Sequence, residues 1–208
     1  MVRHHIAARG IRDRRLLAAL AATPREWFLP QALAPAAYAD AALPIGDGQS
    51  ISQPFIVALM TAQLRLTRHA RVLEIGTGTG YQTAILARLA GRVHTIERLP
   101  HLLADALARL ARLGLANVAA RAGDGALGWD AAESFDAILV TAAAPRVPEP
   151  LLAQLAHGGR LVIPVGDRWS QRLVVLERTV RGVETRDGGP VRFVPLVSPL
   201  AFPAEAER

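Results

Sequence analysis

The sequence predicts an α/β fold, namely a doubly wound, mostly parallel sheet with an antiparallel C-terminal edge and a helical N-terminal segment. Three observations support this prediction. Short β-rich runs alternate with helical runs from Arg71 onward. A glycine-rich turn follows the first of these runs, in "VLEIGTGTGYQTAILA". The last apolar runs are separated only by a turn, which favours a hairpin at the edge of the sheet.

Residues 1–66 are predicted to be helical and irregular. Helical periodicity predicts an amphipathic helix from about Ala7 to Ala22, and "QPFIVALMTAQLRL" predicts a second helix that begins near Pro54. Proline and glycine interrupt the chain between them, in "TPREWFLP" and "LAPAAYADAALPIGDG". The basic N-terminus followed by "LLAALAA" has an apolar core at the lower length limit for a signal peptide, so we interpret it as the first helix and predict a cytoplasmic protein.

Residues 67–198 are predicted to form the α/β core of a single domain that spans 1–208. The predicted parallel strands are "RVLEI", "RVHTIE", "NVAARAGD", "FDAILVTAA" and "GRLVIPVG", and the helical runs between them include "YQTAILARLA", "LPHLLADALARLARLG" and "PEPLLAQLA". The runs "QRLVVLERT" and "PVRFVPLVS", joined by "VRGVETRDGG" as a turn, are predicted to form the antiparallel edge. Residues 199–208 are predicted to be a short tail with a frayed end.

Composition excludes several classes of chemistry. The 208 residues contain no cysteine, which excludes disulfides, zinc-thiolate sites, iron–sulfur clusters and a thiol nucleophile. They also contain no lysine, which excludes Schiff-base chemistry and the P-loop lysine. The six histidines are scattered, so no metal site is predicted. No apolar run approaches the roughly 18–20 residues of a membrane span.

The net charge of +6 invites a nucleic-acid interpretation, which the pattern of charges does not favour. All 24 basic residues are arginine, and alanine is heavily used, which is typical of compositional bias. The arginines are spread along the chain without interleaved aromatic residues that could stack on bases. The charge pattern therefore does not favour a nucleic-acid partner.

The glycine turn predicts a nucleoside-type ligand. Gly76, Gly78 and Gly80 permit a tight turn and close approach of a ligand to the start of a helix. The pattern departs from the dinucleotide motif G-x-G-x-x-G, because the third glycine comes one position early and Tyr81 occupies the sixth position. Glu74 would repel a pyrophosphate but suits an amino group. S-adenosylmethionine (SAM), which carries an ammonium, a sulfonium and a ribose but no phosphate, fits this pattern.

Two further acids follow predicted strands. Glu97 ends the second strand, where nucleotide-binding folds place the acid that accepts ribose hydroxyls. Asp124 follows the third strand and could accept from an adenine amino group, with Gly125 allowing close approach. Each acid alone is equally explained as a helix cap or a solvated charge. Their common position at the carboxyl ends of successive strands favours a ligand site.

The stretch "GQSISQPF" places hydroxyls and amides just before an apolar helix. Ser50, Ser52, Gln49 and backbone N–H groups could orient an anionic acceptor without neutralising it, and the dipole of the following helix would favour an anion. A surface turn, or a helix N-cap at Ser52, would explain the same residues.

These segments resemble the protein-L-isoaspartate (D-aspartate) O-methyltransferase family from about residue 1 to residue 198. The glycine turn is shared with many methyltransferases. More specific are "LPIGDGQSISQPFIVALM", "GDGALGW", "FDAILVTAAAPRVPEPLL", "GGRLVIPVG" and "VRFVPLV". The resemblance implies a SAM-dependent methyltransferase (Rossmann-like) fold. It also implies methylation of the free α-carboxylate of L-isoaspartyl residues in damaged proteins and peptides, after which the ester closes to a succinimide.

The resemblance also assigns roles to individual residues. It implies that Ser52, with Ser50, is catalytic, and that Ser52, Pro195, Leu196 and Val197 contact the acceptor. The implied cofactor-binding residues are Gln49, Ser50, Ile51, Ser52, Glu74, Gly76, Thr77, Gly78, Gly80, Glu97, Arg98, Asp124 and Gly125. Ser50 replaces a common threonine and keeps its hydroxyl. The chain has almost nothing after its last predicted strand, which leaves open any contribution of a tail.

Two other functions remain open from sequence alone. A SAM-dependent methyltransferase acting on nucleic acid, with a tRNA-like substrate, is the main alternative, although "TAAAP" stands where an Asn-Pro-Pro-Tyr run would mark a base-flipping enzyme. A SAM-binding scaffold without chemistry is the other. For the leading function we predict a monomer without a membrane partner.

Overall fold

The fold is described from a computed structural model that covers residues 1–130 and 132–204. Within these ranges the chain forms nine β-strands and five α-helices. The strands are β1 (Leu43–Gly46), β2 (Gln49–Ile51), β3 (Arg71–Ile75), β4 (Arg92–Glu97), β5 (Val118–Ala122), β6 (Phe135–Val140), β7 (Leu155–Gly166), β8 (Gln171–Thr179) and β9 (Gly182–Val191). The helices are α1 (Arg14–Ala21), α2 (Pro54–Leu64), α3 (Tyr81–Leu89), α4 (Pro100–Arg112) and α5 (Glu149–Ala153).

Seven strands form one sheet in the order β5-β4-β3-β6-β7-β8-β9. The first five of these are parallel to one another, and β8 and β9 continue the sheet antiparallel. The predicted mostly parallel sheet with an antiparallel C-terminal edge is therefore confirmed. The strand order reverses beside β3, with β4 on one side and β6 on the other. Such sheets bind ligands at the carboxyl ends of their strands near this reversal.

The central strand β3 is buried on both faces. Leu73 and Ile75 belong to one hydrophobic cluster, which includes Leu151 of α5. Val72 belongs to another, which includes Met60 of α2. Strands buried on both faces have continuous apolar runs rather than alternating ones, which is the pattern that the sequence carries here.

The predicted helix from Ala7 to Ala22 is wrong in its first half. Residues 7–9 form a 3-10 turn that ends at Gly10, whose φ is +96°. Helix α1 begins only after Asp13, whose carboxylate accepts hydrogen bonds from the backbone N–H groups of residues 15 and 16 at 2.8 and 3.2 Å. The glycine ends one turn and the aspartate starts a new helix, so the apolar periodicity continues across a real break.

The C-terminal edge is antiparallel as predicted, but its second strand lies earlier in the chain. The segment "VRGVETRDGG", predicted to be a turn, contains most of β9, and only Val180 and Arg181 separate β8 from β9. The predicted strand "PVRFVPLVS" belongs to β9 only as far as Val191. Strand β9 is the exposed outer edge of the sheet, so its polar composition hid it. Residues 205–208 of the predicted tail lie outside the described residues.

Beyond β9 the chain runs extended along the carboxyl end of β6. The backbone N–H of Ala143 donates to the carbonyl of Val194 at 2.8 Å, and the N–H of Leu196 donates to the carbonyl of Ala143 at 2.7 Å. These hydrogen bonds bring residues 193–197 to the edge of the sheet that carries the glycine turn.

The N-terminal segment packs on α3. Phe28 is fully buried and meets the ring of Tyr81 edge to face, with 5.4 Å between ring centroids. Leu16 and Leu20 of α1 lie in the same cluster as Ile85 of α3. Burying a side chain of this size contributes roughly 1.5–3 kcal/mol, so this packing fixes the segment beside the sheet. Among the described residues, no helix has the length and apolarity needed to cross a membrane.

Candidate active site

A glycine turn links the end of β3 to the start of α3. Gly76, Gly78 and Gly80 have φ values of +91°, +53° and +88°, in the region that disfavours other residues. A Cβ on Gly76 would collide with Oγ1 of Thr141, and one on Gly80 would lie 3.1 Å from Cβ of Ala106. The turn therefore requires glycine at Gly76 and Gly80 for both backbone conformation and space.

A pocket lies over this turn at the carboxyl ends of β3, β4 and β6. Its walls come from the glycine turn, the strand ends, the β1–β2 hairpin and the segment after β9. The predicted cofactor residues on its wall are Gln49, Ser50, Ile51, Ser52, Gly76, Thr77, Gly78, Glu97, Arg98 and Gly125. Glu74, Gly80 and Asp124 lie close by but do not line the pocket.

Glu97 is the acid on the pocket wall. It is 7% exposed, and its two carboxylate oxygens accept hydrogen bonds from the backbone N–H groups of Gly78, at 2.9 Å, and Leu99, at 3.0 Å. A carboxylate has about four acceptor positions, so Glu97 can fix the glycine turn and still accept from a ligand. Arg98 is exposed at the rim of the same pocket.

Glu74 lies beneath the glycine turn rather than on the pocket wall. It is fully buried, and one carboxyl oxygen accepts from the hydroxyls of Thr83 and Thr95, each at 2.6 Å. The other oxygen has no partner among the described residues. Desolvation raises the pKa of Glu74 to about 8, against the opposing effect of the two hydroxyls. The contact of Glu74 with a ligand amino group stays a prediction.

Thr95 connects Glu74 to the pocket. Because its hydroxyl donates to Glu74, it accepts from the hydroxyl of Thr77, with 2.6 Å between the oxygens. Thr77 belongs to the glycine turn and lines the pocket. Glu74 therefore supports the turn from below through a chain of two hydroxyl groups.

We expect Glu74→Gln to flatten the pH dependence of the free energy of unfolding. The carboxyl pKa is about 8 in the fold against an ordinary value of 4.5, so the folded protein holds an extra proton between these values. The stabilisation is complete below the lower pKa and is lost as the pH rises through the upper one. Glu74 alone lowers the free energy of unfolding by up to about 1.4 kcal/mol per pH unit as the pH rises between these values, and glutamine, which does not titrate, removes this contribution.

Urea unfolding of both proteins at a series of pH values between about 5 and 8 measures this difference. Glu184→Gln, on the exposed strand β9, is the matched control and should keep the wild-type slope. Equal slopes for wild type and Glu74→Gln would contradict the expectation.

Asp124 and Gly125 follow β5 at the same edge of the sheet. Gly125 is buried and lines the pocket, and a Cβ there would collide with the side chain of Ile75. The Asp124 carboxylate accepts from the backbone N–H of Ala126 at 2.9 Å, which caps the short 3-10 turn after it, and from the hydroxyl of Ser198 at 2.7 Å. The helix-cap alternative is therefore realised for this acid, and its contact with an adenine stays a prediction.

The stretch "GQSISQPF" forms part of a β-hairpin that sequence reasoning missed. Strands β1 and β2 pair antiparallel around Asp47 and Gly48, both of which have positive φ. At the tip, a carboxylate oxygen of Asp47 lies 2.8 Å from Nε2 of His101 in α4. The hairpin therefore reaches across the pocket to α4, and we call its residues 49–52 the lip.

Ser50 and Ser52 present hydroxyls that have no hydrogen-bond partner among the residues that the structure describes. Ser50 is exposed and Ser52 is half-buried. The N-cap of α2 is Gln53, whose side chain does not cap the helix, and the carboxylate of Asp40 accepts instead from the backbone N–H of Phe55 in the first turn at 3.3 Å. The alternative in which Ser52 serves as an N-cap is therefore not realised, and both hydroxyls are available to a ligand.

A second groove lies on the other side of the lip. Its lining residues are Asp40, Ala41, Ala42, Ser50, Ser52, Gln53, Ile56, Thr141 and residues 190–194. Ser50, Ser52 and Thr141 also line the first pocket, so the two spaces meet at the lip. Asp40 pairs with Arg9 at 3.0 Å, and Arg192 is exposed.

Pro195, Leu196 and Val197, predicted to border the acceptor groove, line the first pocket, and their contact with the acceptor stays a prediction. The groove is lined by the residues just before them, and Phe193 and Val194 line both spaces. The extended segment after β9 therefore passes from the groove to the pocket.

The groove residues Asp40, Ile56 and Arg192 were not identified from the sequence. They come from three segments that meet only in the folded chain, so no local pattern marks them. Tyr81 lines the pocket, but the sequence identified it only as a departure from the dinucleotide motif and not as a pocket residue. Its position at the start of α3 was the available signal.

The sheet topology, the glycine turn and the acid at the end of β4 together define a SAM-dependent methyltransferase fold and site. Residues 1–201 match the family model described as Protein-L-isoaspartate(D-aspartate) O-methyltransferase (PCMT). The chain belongs to this family.

Curated relatives agree with the family match. The chain is 60% identical over 190 residues to a protein-L-isoaspartate O-methyltransferase of Anaeromyxobacter dehalogenans, which covers 90% of this chain and 91% of the relative. It is 54% identical over 197 residues to protein-L-isoaspartate O-methyltransferase 1 of Syntrophobacter fumaroxidans, which covers 95% of this chain and 92% of the relative.

Solved structures agree with the fold. One protein-L-isoaspartate O-methyltransferase is 30% identical and superposes with a TM-score of 0.84, over 94% of this chain and 64% of the other. A Plasmodium falciparum structure, described as an enzyme of the same kind in complex with S-adenosyl-L-homocysteine, is 23% identical with a TM-score of 0.79. That match covers 94% of this chain and 96% of the other, and at this identity it supports the fold alone.

Proposed function

We propose that this chain transfers the methyl group of SAM to the free α-carboxylate of L-isoaspartyl residues in damaged proteins and peptides. One observation carries the proposal: a pocket on the glycine turn and a separate groove meet at the free hydroxyls of Ser50 and Ser52. Family membership supports the acceptor, because the named relatives are protein-L-isoaspartate O-methyltransferases. The methyl ester then closes to a succinimide, whose hydrolysis returns some normal aspartate.

The pocket has donors and acceptors that suit SAM, which supplies a methyl group on a positively charged sulfur when bound. We propose that Glu97 accepts from the ribose hydroxyls and that Asp124 accepts from the adenine amino group. Gly76 and Gly78 let the ligand approach the backbone, and Gly125 leaves room beside Ile75. The glycine turn departs from the dinucleotide pattern G-x-G-x-x-G, which favours this phosphate-free nucleoside over a dinucleotide.

The acceptor needs no general base. A terminal-type carboxyl group has a pKa of about 3.3–3.7, so at neutral pH it is already ionised and nucleophilic. Neither space is lined by a histidine among the described residues. The chain must instead orient the carboxylate and remove water from it, and placement of this kind is worth up to about 7–11 kcal/mol in model reactions.

We propose that Ser52, with Ser50, orients the acceptor carboxylate. An uncharged hydroxyl can hold one oxygen through a hydrogen bond while the other oxygen keeps its charge. The amide of Gln49 and the backbone N–H of Gln53 add further donors. The N–H of Phe55 in the first turn of α2 already donates to the Asp40 carboxylate at 3.3 Å, so part of the positive end of this helix dipole is already used by an acid. The half-buried position of Ser52 limits the water that competes for these donors.

The pocket and the groove suggest that two parts of a single domain, 1–208, bind the cofactor and the acceptor separately. We propose that residues 1–66 form the acceptor side and residues 67–198 the cofactor core, with the lip between them. We further propose that the protein acts as a monomer in the cytoplasm.

The alternative acceptor, nucleic acid, is not supported by the family match. A binding scaffold without chemistry leaves the free hydroxyls at the junction unexplained. One assay separates the three functions: SAM labelled in its methyl group is offered an isoaspartyl peptide, the matching aspartyl peptide and tRNA. We expect label only on the isoaspartyl peptide. Label on tRNA, or binding of SAM without transfer to any acceptor, would contradict the proposal.

A further inference from the structure

Arg25 is a buried cation behind the lip. Its side chain is 0% exposed, and within the described residues no carboxylate lies within ion-pair distance of it. Burial lowers the pKa of Arg25 from its ordinary value, although the phenol group of Tyr81 and, more weakly, the carboxylate of Asp40 oppose this effect. Burying a charged group without an ion-pair partner lowers the stability of a fold. A buried arginine of this kind is therefore a candidate for a functional role.

The guanidinium of Arg25 binds the lip through its backbone. Nη2 donates to the carbonyl of Ser52 at 2.9 Å, Nε donates to the carbonyl of Ala37 at 2.8 Å, and Nη1 has no partner among the described residues. The guanidinium carbon lies 4.9 Å from the centroid of the Tyr81 ring. Tyr81 begins α3 and lines the cofactor pocket. One side chain therefore contacts both the lip and the helix after the glycine turn.

We propose that Arg25 is a positioning residue, which attracts and orients the acceptor carboxylate through Ser52. This inference rests on the proposed function. The lip offers only uncharged donors, and the charged side chains described in the groove are Asp40, which already pairs with Arg9, and Arg192. A fully buried positive charge behind Ser52 is weakly screened, so its field reaches the carboxylate site.

The indirect position of Arg25 matters for the reaction. A cation in direct contact with the carboxylate would form an ion pair and make the nucleophile less reactive. Arg25 instead binds the carbonyl of the peptide between Ser52 and Gln53, and such a hydrogen bond strengthens the N–H of the same peptide as a donor. The acceptor is thus attracted while its charge remains available for methyl transfer.

The test compares Arg25→Gln and Arg25→Lys in kcat and KM for an isoaspartyl peptide, with the affinity for S-adenosylhomocysteine measured by calorimetry. Glutamine can still donate a hydrogen bond but has no charge, so we expect KM for the peptide to rise about 10-fold. Lysine is charged when the assay pH lies below its pKa, which burial lowers, so in assays at about pH 6 KM should stay within about threefold of wild type. The affinity for S-adenosylhomocysteine should change less than about threefold in both variants.

Arg160→Gln is the matched control. Arg160 is also buried, at 6% exposure, donates to the carbonyl of Gln63 at 3.2 Å and pairs with Glu177, but it lines neither the pocket nor the groove. Its replacement should lower the thermal stability and leave KM for the peptide unchanged. This control measures what the loss of a buried arginine does through the fold alone.

The outcomes separate the inference from the proposed function. The inference is wrong if Arg25→Gln leaves KM at the level of Arg160→Gln, or if Arg25→Lys raises KM as much as Arg25→Gln does. If Arg25→Gln does not fold, Arg25→Lys decides alone: KM within about threefold supports the inference and a rise of about 10-fold overturns it. A wild-type protein that binds S-adenosylhomocysteine but does not methylate the peptide would instead overturn the proposed function.

Discussion

Replacing Ser52 with alanine is expected to lower kcat/KM for an isoaspartyl peptide by about 10- to 100-fold, the usual cost of one hydrogen bond to a charged group. The Ser52 hydroxyl lies where the pocket and the groove meet, and it has no hydrogen-bond partner among the described residues. Alanine removes the donor and changes little else, because the contact between Arg25 and the lip uses the Ser52 backbone. Steady-state methyl transfer at varied peptide concentrations measures the loss.

Two comparisons make the Ser52→Ala result specific. Affinity for S-adenosylhomocysteine should change by less than about threefold, since Ser52 is only one of many residues around the cofactor pocket. Ser170→Ala, in the exposed turn between β7 and β8, should keep full activity. Unchanged turnover in Ser52→Ala would remove this residue from the mechanism.

Replacing Glu97 with alanine is expected to weaken the binding of S-adenosylhomocysteine by about 100-fold or more. Two charge-assisted hydrogen bonds to ribose hydroxyls are worth about 1.5–3 kcal/mol each. The variant also leaves the backbone N–H of Gly78 without its carboxylate partner, which loosens the glycine turn. Calorimetric titration of the purified proteins gives the two dissociation constants.

A ligand lacking one ribose hydroxyl distinguishes the direct contact from the effect on the turn. If Glu97 binds the ribose, removing the 2′-hydroxyl of S-adenosylhomocysteine should weaken binding to wild type but hardly affect Glu97→Ala. Glu184→Ala, on the exposed face of β9, should bind both ligands as wild type does. Equal losses from the missing hydroxyl in wild type and Glu97→Ala would show that Glu97 acts only through the turn.

The central sheet was predictable because its strands are apolar runs that end at glycines or other turn residues. Strand β3 is an apolar run that ends in glycine, and α3 and α4 follow strands at the spacing typical of parallel sheets. The hairpin of β1 and β2 was not predictable, since its strands are short and one of them contains Pro44. Strand β9 was not predicted because it is an exposed edge strand, and its sequence lacks the alternation of apolar and polar residues that marks a half-buried strand.

The cofactor side of the site was more predictable than the acceptor side. Gly76 and Glu97 lie where the topology of a parallel sheet places ligand contacts, so their order in the chain located them. The burial of Glu74 depends on which face of β3 it occupies, and the shared face with Val72 was the missed signal. The contact between Arg25 and Ser52 joins residues distant in the chain, and no local pattern contains it.

The most direct measurement of the central claim is a crystal structure with S-adenosylhomocysteine and an isoaspartyl peptide bound together. We expect one oxygen of the peptide α-carboxylate to lie about 3 Å from the hydroxyl of Ser52, with the other oxygen facing the cofactor sulfur. A carboxylate bound away from the lip, with Ser52 turned from the sulfur, would contradict the claim.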